Sequence, residues 1–144
     1  QHELVFAFKR GESPHQNNVE LGRHGRNRTN VWAYAGANTF KQGRDAELAM
    51  HPTVKPVALV QDALKDVTAR NAIVLDPFGG SGSTLIAADK SGRRARLIEI
   101  DPAYCDVIIT RYEAYSGKRA TLAATDASFD EIAAERRAPA TAAE

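Results

Sequence analysis

The feature that most constrains the fold is an apolar run that ends in a glycine-rich turn, "AIVLDPFGGSGSTLIAADKSG". Residues 72–76 are a short, fully apolar run typical of a strand, and the residues after Gly82 follow a helical pattern that Gly92 closes. A second strand-like run occupies residues 95–101. Strand, helix and strand at this spacing predict a right-handed βαβ unit with a parallel pair of strands. The chain is therefore predicted to be an α/β protein.

Two further helices are predicted on either side of this unit. The segment "KPVALVQDALKDVTAR" carries an apolar stripe at spacings of three, four and three: Val57, Val60, Leu64 and Val67. Pro56 suits the first position of that helix. In "PAYCDVIITRYEAYSG", Asp101 is the predicted N-cap, Pro102 the first helical residue and Gly117 the residue past the end.

The remaining segments carry weaker signals. "ELVFAFK" at residues 3–9 predicts a buried strand that ends in a turn. Residues 11–50 are polar and lack periodicity, so we expect a long irregular loop, which in a compact domain is usually functional. After Leu122 the chain is Ala-rich and polar, with a short exposed helix predicted at "FDEIAAERR" and disorder at the last residues.

Charge and cysteine content restrict the function classes. The net charge is +1, yet residues 1–44 hold seven Lys or Arg against three acids, which weakly indicates a polyanionic partner. The single cysteine, Cys105, excludes an internal disulfide and a multi-cysteine metal site, and it is expected to be buried. His15 and His24 have no thiol or acid at ligand spacing, so we expect no metal. No apolar run reaches membrane-spanning length and no signal peptide is recognised, which favours a cytoplasmic protein.

Three kinds of nucleotide site use such a glycine turn. A phosphate-binding P-loop needs a lysine after the glycines, whereas Ser83 and Thr84 follow Gly82, so this class is excluded. A dinucleotide fingerprint needs a third glycine where Leu85 stands. An NAD-dependent enzyme is therefore disfavoured but stays an alternative.

The third kind fits best, because "DPFGGSGST" closely resembles the cofactor-binding motif of the DNA amino-methyltransferases. These enzymes methylate adenine N6 or cytosine N4 with S-adenosylmethionine. Upstream, "HPTVKPVAL" resembles the motif that precedes the glycine turn in this family, and downstream "LIEIDPAYCDVI" resembles the acidic motif that follows it. The three motifs, in the family's order, span residues 51–108. Ser83 departs from the threonine that the family more often has, but the hydroxyl is retained.

The resemblance implies a fold and a set of cofactor contacts. The fold is a Rossmann-like S-adenosylmethionine-dependent methyltransferase sheet, present in part as the C-terminal cofactor-binding half. The implied cofactor-binding residues are Thr53, Lys55, Asp76, Phe78, Gly80, Gly82, Ser83 and Glu99.

The resemblance also implies which part of the cofactor each of these residues would contact. Phe78, Gly80 and Gly82 would shape the pocket floor for the methionine moiety, while Asp76 would face its amino group. Thr53 and Lys55 would close over the same end. Glu99 would accept both ribose hydroxyls. Asp101 is the alternative for that role, although it also resembles a helix cap. Any one of these residues alone also has a purely structural explanation.

The family's catalytic motif, Asp, Asn or Ser followed by Pro-Pro and an aromatic residue, is missing. The six prolines of this chain never stand side by side. In a circularly permuted class of the family the catalytic half precedes the cofactor half, so the chain is expected to be the C-terminal part of such an enzyme. The expected division is the end of the catalytic half at 1–10, target recognition at 11–50, cofactor binding at 51–122 and a mobile tail at 123–144.

The basic segment "LGRHGRNRTNVW" lies where this class usually carries target recognition. The predicted DNA-binding residues are Arg23, Arg26, Arg28, Asn30 and Trp32. Arginine and asparagine grip phosphates or read base edges, and an aromatic ring can stack on an extruded base. The alternatives are that the arginines form a solvated, salt-bridged face and that Trp32 belongs to the core.

The predicted function is cofactor binding and part of DNA binding in a site-specific DNA methyltransferase. The expected partner is double-stranded DNA in a bacterial or phage-infected cytoplasm, with a restriction endonuclease or a second copy of the chain as further candidates and no membrane. The leading alternative is a catalytically silent, nucleotide- or nucleic-acid-binding remnant of such an enzyme. The sequence does not distinguish an adenine from a cytosine target.

Overall fold

The fold is known from a computed structural model that describes residues 3–23, 29–34 and 54–137. The elements in order are α1 (Val57–Val67), β1 (Ile73–Asp76), α2 (Ser83–Lys90), β2 (Arg94–Leu97), α3 (Pro102–Ser116) and α4 (Phe129–Arg137). The two strands form a parallel sheet in the register Ile73 to Arg94 through Asp76 to Leu97. The predicted α/β class and the parallel pair are therefore confirmed.

The second strand ends earlier than the sequence predicts. It was expected to run to residue 101, but β2 stops at Leu97. The backbone of Ile98 explains the difference, because its N–H donates to the Asp76 carbonyl at 2.9 Å while its carbonyl accepts from Gly79 N–H at 2.9 Å. The chain thus leaves the sheet at Ile98 to bond the glycine turn. Glu99 consequently lies two residues beyond the strand and not at its last position.

The helix ends follow the predicted signals with one shift. Pro56 is the N-cap of α1 and not its first residue, because its ψ of 127° is extended. At α3 the Asp101 carboxylate accepts from Ala103 N–H at 2.8 Å, Pro102 is the first helical residue, and Gly117 ends the helix at φ 67°. The predicted short helix near the end of the chain is also present, as α4.

The core lies where α2 packs against α1, β2 and α3. Its buried apolar side chains are Ile86, Ala87, Ala88 and Ile108. Three serines are buried with them: Ser81, Ser83 and Ser91. Since α2 begins directly after the glycine turn, the most tightly packed part of the described chain lies beneath that turn.

One face of the sheet is open to solvent. Ile73 is 58% exposed and Leu75 63% exposed, whereas Val74 between them lies on the opposite face and is half-buried. Along β2, Arg94 and Arg96 lie on the same open face. A parallel sheet is ordinarily covered on both faces. Within the described ranges, only one face is covered by helices.

The strand predicted at residues 3–9 is wrong. This segment has no regular secondary structure, and Leu4, Val5, Phe6 and Phe8 are each at least 64% exposed. A strand requires a neighbouring strand to bond its backbone. The β-bonding among the described residues joins β1 to β2 and Thr121 to Ser128, and neither involves this segment.

The predicted irregular loop is confirmed over residues 11–23 and 29–34, which carry neither helix nor strand. Its described part is fastened to α1. Asn18 donates its backbone N–H to the Asp66 carbonyl at 2.8 Å and its side-chain amide to the carbonyls of Lys65 and Thr68 at 2.8 and 3.0 Å. The side chain therefore bonds carbonyls at the end of α1 that the helix itself leaves without partners.

Candidate functional site

A cleft of about 340 Å³ opens at the carboxyl ends of the two strands. We call it the glycine-turn cleft. Six of the eight residues predicted to bind a cofactor line it: Lys55, Asp76, Phe78, Gly80, Ser83 and Glu99. Gly82 does not line it, and Thr53 lies outside the described residues. Loops at the carboxyl ends of parallel strands are the usual place for ligands in α/β folds.

Glu99 is held at the mouth of the glycine turn by two backbone donors. Its Oε2 accepts from Gly80 N–H at 2.7 Å, and its Oε1 accepts from Asp101 N–H at 3.0 Å. An ionised carboxylate offers about four lone-pair sites. Both oxygens are therefore oriented by the backbone. Asp101, the alternative considered for this role, instead uses its carboxylate to cap α3.

The glycine turn depends on residues without a Cβ atom. Gly82 is the N-cap of α2 at φ 75°, and Gly82 N–H donates to the Gly79 carbonyl at 2.8 Å. A Cβ atom at Gly82 would lie 3.2 Å from Ile108 Cγ2, and one at Gly79 would lie 3.0 Å from Ile108 Cδ1. The turn therefore sits directly on the buried Ile108 side chain of α3.

Asp76 and Phe78 form the start of the turn. Asp76 Oδ1 accepts from Phe78 N–H at 3.0 Å, which folds the backbone back over the strand end. Phe78 is 85% exposed. Its ring therefore lies on the solvent side of the cleft, although the sequence analysis placed it at the pocket floor.

Lys55 and Ser83 join the segment before α1 to the glycine turn. The Ser83 hydroxyl donates to the Lys55 carbonyl at 2.8 Å. The Lys55 ammonium pairs with the Glu3 carboxylate at 2.8 Å, and both side chains are about half or more exposed. An exposed ion pair of this kind is weak and competes readily with other partners.

Sequence reasoning missed two residues of α3 that support this site. Tyr104 lines the cleft, and Arg111 donates to Ser81 and Ser83 behind it. With Ile108 they stand at spacings of four and three, which places them on one face of a helix. That periodicity was the available signal. The chemical motifs drew attention to the turn and not to the helix behind it.

Three of the predicted DNA-binding residues, Arg23, Asn30 and Trp32, are described, and none of them lines the cleft. Arg23 has a side chain that is 75% exposed and lies 3.9 Å from Glu20, Asn30 is exposed, and Trp32 is half-buried. Near them the Tyr34 hydroxyl donates to Asp62 Oδ2 of α1 at 2.5 Å. Arg26 and Arg28 lie outside the described residues.

Cys105 lies on the other side of α3, in a groove of about 390 Å³ that also contains Ile109, Leu122 and Phe129. Cys105 is half-buried, so the expectation of a buried cysteine is wrong. Among the residues that the structure describes, no group of three His, Cys, Asp or Glu side chains is arranged to hold a metal ion. No helix in the same part of the chain combines the length and apolar character needed to span a membrane.

Comparison with known proteins identifies the family to which most of the chain is similar. The model of a DNA methylase family, whose name specifies N6 and N4 methyltransferases, matches residues 3–110. The type II methyltransferase M2.DpnII of Streptococcus pneumoniae is 33% identical over 115 residues, which are 77% of this chain and 41% of that protein. The type II methyltransferase M.ScaI of Streptomyces caespitosus is 34% identical over 90 residues, which are 62% of this chain and 30% of that protein.

Among solved structures, the M1.HpyAVI–SAM complex is 32% identical at a TM-score of 0.45, covering 60% of this chain and 42% of that one. The chain thus spans less than half of the length of each of these three proteins.

Proposed function

We propose, from the premise that this chain belongs to the N6/N4 DNA methylase family, that the glycine-turn cleft binds S-adenosylmethionine for methyl transfer to an exocyclic amine of DNA. The observation that carries the proposal is that six residues chosen from three separate sequence motifs line one cleft. Residues dispersed from 55 to 99 would have no reason to converge there if the motifs were unrelated.

The chemistry of the cleft suits this cofactor. The backbone N–H groups of Gly80 and Asp101 orient the two oxygens of the Glu99 carboxylate, and an oriented carboxylate is a suitable acceptor for the two ribose hydroxyls. Gly80 lines the cleft without a Cβ atom, so a ligand can approach its backbone closely. The volume of about 340 Å³ lies within the usual range for small-molecule pockets.

When bound, the cofactor would supply an electrophilic methyl group on a sulfonium centre. The role proposed for this chain is to bind and orient it. Glu99 would hold the ribose end, Asp76 would face the amino group of the methionine end, and Lys55 would lie beside that end. The hydroxyl of Ser83 is directed to the Lys55 carbonyl, so its proposed part is to keep the two motifs together.

Catalysis is proposed to require residues that the 144-residue sequence does not contain. The family's Pro-Pro motif holds the target base, and the sequence has no Pro-Pro pair. No described residue is therefore assigned a catalytic role. The prediction for this chain by itself is cofactor binding without turnover.

DNA is the proposed second partner. Arg23 and Asn30 are exposed in the basic segment, and an exposed cation such as Arg23 supplies a phosphate contact that weakens as salt rises. An Arg23→Gln variant should bind a mixed-sequence duplex more weakly. The slope of log affinity against log salt should become shallower by about 1, which corresponds to the loss of one phosphate contact. The matched control is Arg137→Gln, which removes an exposed arginine of α4. Equal slopes for wild type and Arg23→Gln would remove Arg23 from the DNA site.

The cofactor assignment is tested by calorimetric titration of the chain with S-adenosylmethionine, S-adenosylhomocysteine and NAD. The expected result is saturable binding of the first two at one site and none of NAD. Binding of NAD alone would favour the dinucleotide alternative. A chain shown by circular dichroism to be folded, yet silent toward all three ligands, would favour the remnant alternative.

A further inference from the structure

The guanidinium of Arg111 reaches from α3 to the back of the glycine turn. A single nitrogen, Nη1, donates to the Ser81 carbonyl at 2.8 Å, the Ser81 hydroxyl at 3.2 Å and the Ser83 hydroxyl at 3.1 Å. Both serines are buried, at 7% and 6% exposure. A charged donor thus satisfies polar groups that water reaches poorly, and such charge-assisted bonds are stronger than neutral ones.

The same contacts extend to the rest of the cleft wall. The Ser83 hydroxyl in turn donates a hydrogen bond to the Lys55 carbonyl at 2.8 Å. Arg111 therefore supports the turn and, through Ser83, the segment that leads into α1. On the opposite side, Glu99 holds Gly80 at 2.7 Å. The turn is clamped between an anion that faces the cleft and a cation behind it.

From this geometry we infer that Arg111 is a positioning residue for the cofactor. It does not line the cleft, but it sets the affinity for the cofactor by fixing the backbone of residues 80–83. The inference rests on the proposed function, because it concerns the same cleft. Its signature is a loss of ligand affinity in protein that remains folded. A residue that only stabilises the fold would lower the melting temperature without changing the affinity of the folded fraction.

Arg93, which lies between the end of α2 and the start of β2, provides a matched control. It is also partly buried and bonds backbone carbonyls with its guanidinium, but at the far end of α2. Its Nη2 donates to the Thr68 carbonyl at 2.5 Å, and its Nη1 donates to the Ser91 carbonyl. Arg93 does not line the glycine-turn cleft. Removing either arginine should lower the stability of the fold, but only the loss of Arg111 should lower the affinity for the cofactor.

The experiment compares wild type with Arg111→Met, Arg111→Lys and Arg93→Met by thermal unfolding and by calorimetric titration with S-adenosylhomocysteine. Both methionine variants should melt at lower temperature. Arg111→Met should weaken binding by at least about tenfold, while Arg93→Met should leave it unchanged. The affinity of Arg111→Lys should fall between those of wild type and Arg111→Met, because a lysine ammonium can donate some of the hydrogen bonds that Arg111 Nη1 makes to Ser81 and Ser83.

The outcomes separate this inference from the proposed function. If wild type fails to bind S-adenosylhomocysteine, the proposed function itself is wrong. If wild type binds and folded Arg111→Met binds equally well, Arg111 has no positioning role. Should Arg111→Met not fold, the comparison passes to Arg111→Lys against Arg93→Lys. Weaker binding by about threefold in the former alone supports the inference, and equal affinities overturn it.

Discussion

Glu99 and Gly80 stand nineteen residues apart in the sequence and are joined by a hydrogen bond of 2.7 Å between the Gly80 N–H and Glu99 Oε2. The glycine turn and the acidic loop after β2 therefore form one unit. A change at either residue alters the position of the other.

Replacing Glu99 with Gln should weaken S-adenosylmethionine binding by about 10- to 100-fold, because the side chain loses its charge and one acceptor oxygen. Asp101→Asn is the matched control, since asparagine is also a good N-cap and this residue does not line the cleft. Calorimetric titration of both variants checks the prediction. An equal loss in Asp101→Asn would restore Asp101 as the candidate for the ribose contact.

Gly82→Ala should destabilise the protein by about 1–2 kcal/mol because alanine disfavours the left-handed backbone at this position. The close approach of the new Cβ atom to Ile108 should add a further cost. Gly117→Ala isolates the first cost, because Gly117 has a similar φ of 67° and nothing within 4 Å of a built Cβ atom. The difference between the two free energies of unfolding, measured in urea, reports the Ile108 contact. Equal losses would show that the turn can move away from Ile108 without cost.

Asn18→Ala should lower the free energy of unfolding by about 1 kcal/mol, because it removes two bonds to carbonyls at the end of α1. Asn17→Ala is the neighbouring control. The Asn17 side chain accepts only a local, exposed bond from Val19 N–H at 3.1 Å, and its loss should cost less than about 0.5 kcal/mol. Urea denaturation followed by circular dichroism distinguishes them. If the two variants prove equally stable, the irregular segment is not fastened to α1 in solution.

The start of α4 should respond to acid. The Ser128 hydroxyl and the Ser128 backbone N–H both donate to the Glu131 carboxylate at 2.7 Å. These two hydrogen bonds, the hydroxyl bond more than the backbone bond, lower the pKa of Glu131 below its usual value. A lowered pKa means that this capping contribution is present above the ordinary glutamate pKa and is lost as pH falls through the folded value.

An NMR titration of the Glu131 side chain checks that sign. Ser128→Ala should raise the pKa of Glu131 toward its ordinary value, although the backbone donor remains. Glu131→Gln should remove this acid response of α4. An unchanged pKa in Ser128→Ala would show that the hydroxyl is not its cause.

Local signals in the sequence were enough to predict much of the fold. Asp101, Pro102 and Gly117 marked the ends of α3 because capping depends on the residue itself and its immediate neighbours. The parallel pair followed from the strand, helix and strand spacing. Asp76 and Glu99 line one cleft because the carboxyl ends of adjacent parallel strands share one edge, and their binding of a cofactor stays a prediction.

The errors arose where distant partners decide the outcome. Residues 3–9 have the composition of a strand, but strand formation depends on a neighbour that no local pattern reveals. The early end of β2 depends on the bond from Gly79 to Ile98, which is a tertiary contact. Arg111 was missed for the same reason, since its partners, Ser81 and Ser83, lie some thirty residues earlier.

The most direct test of the central claim is a crystal structure of this chain with S-adenosylhomocysteine bound, in which the distances from the Glu99 carboxylate oxygens to the ribose hydroxyls are measured. The account predicts both hydroxyls at about 2.5–3.0 Å from Glu99, with the ligand lying along the glycine turn. A ligand bound elsewhere on the folded chain, or one in the cleft whose ribose does not contact Glu99, would contradict it.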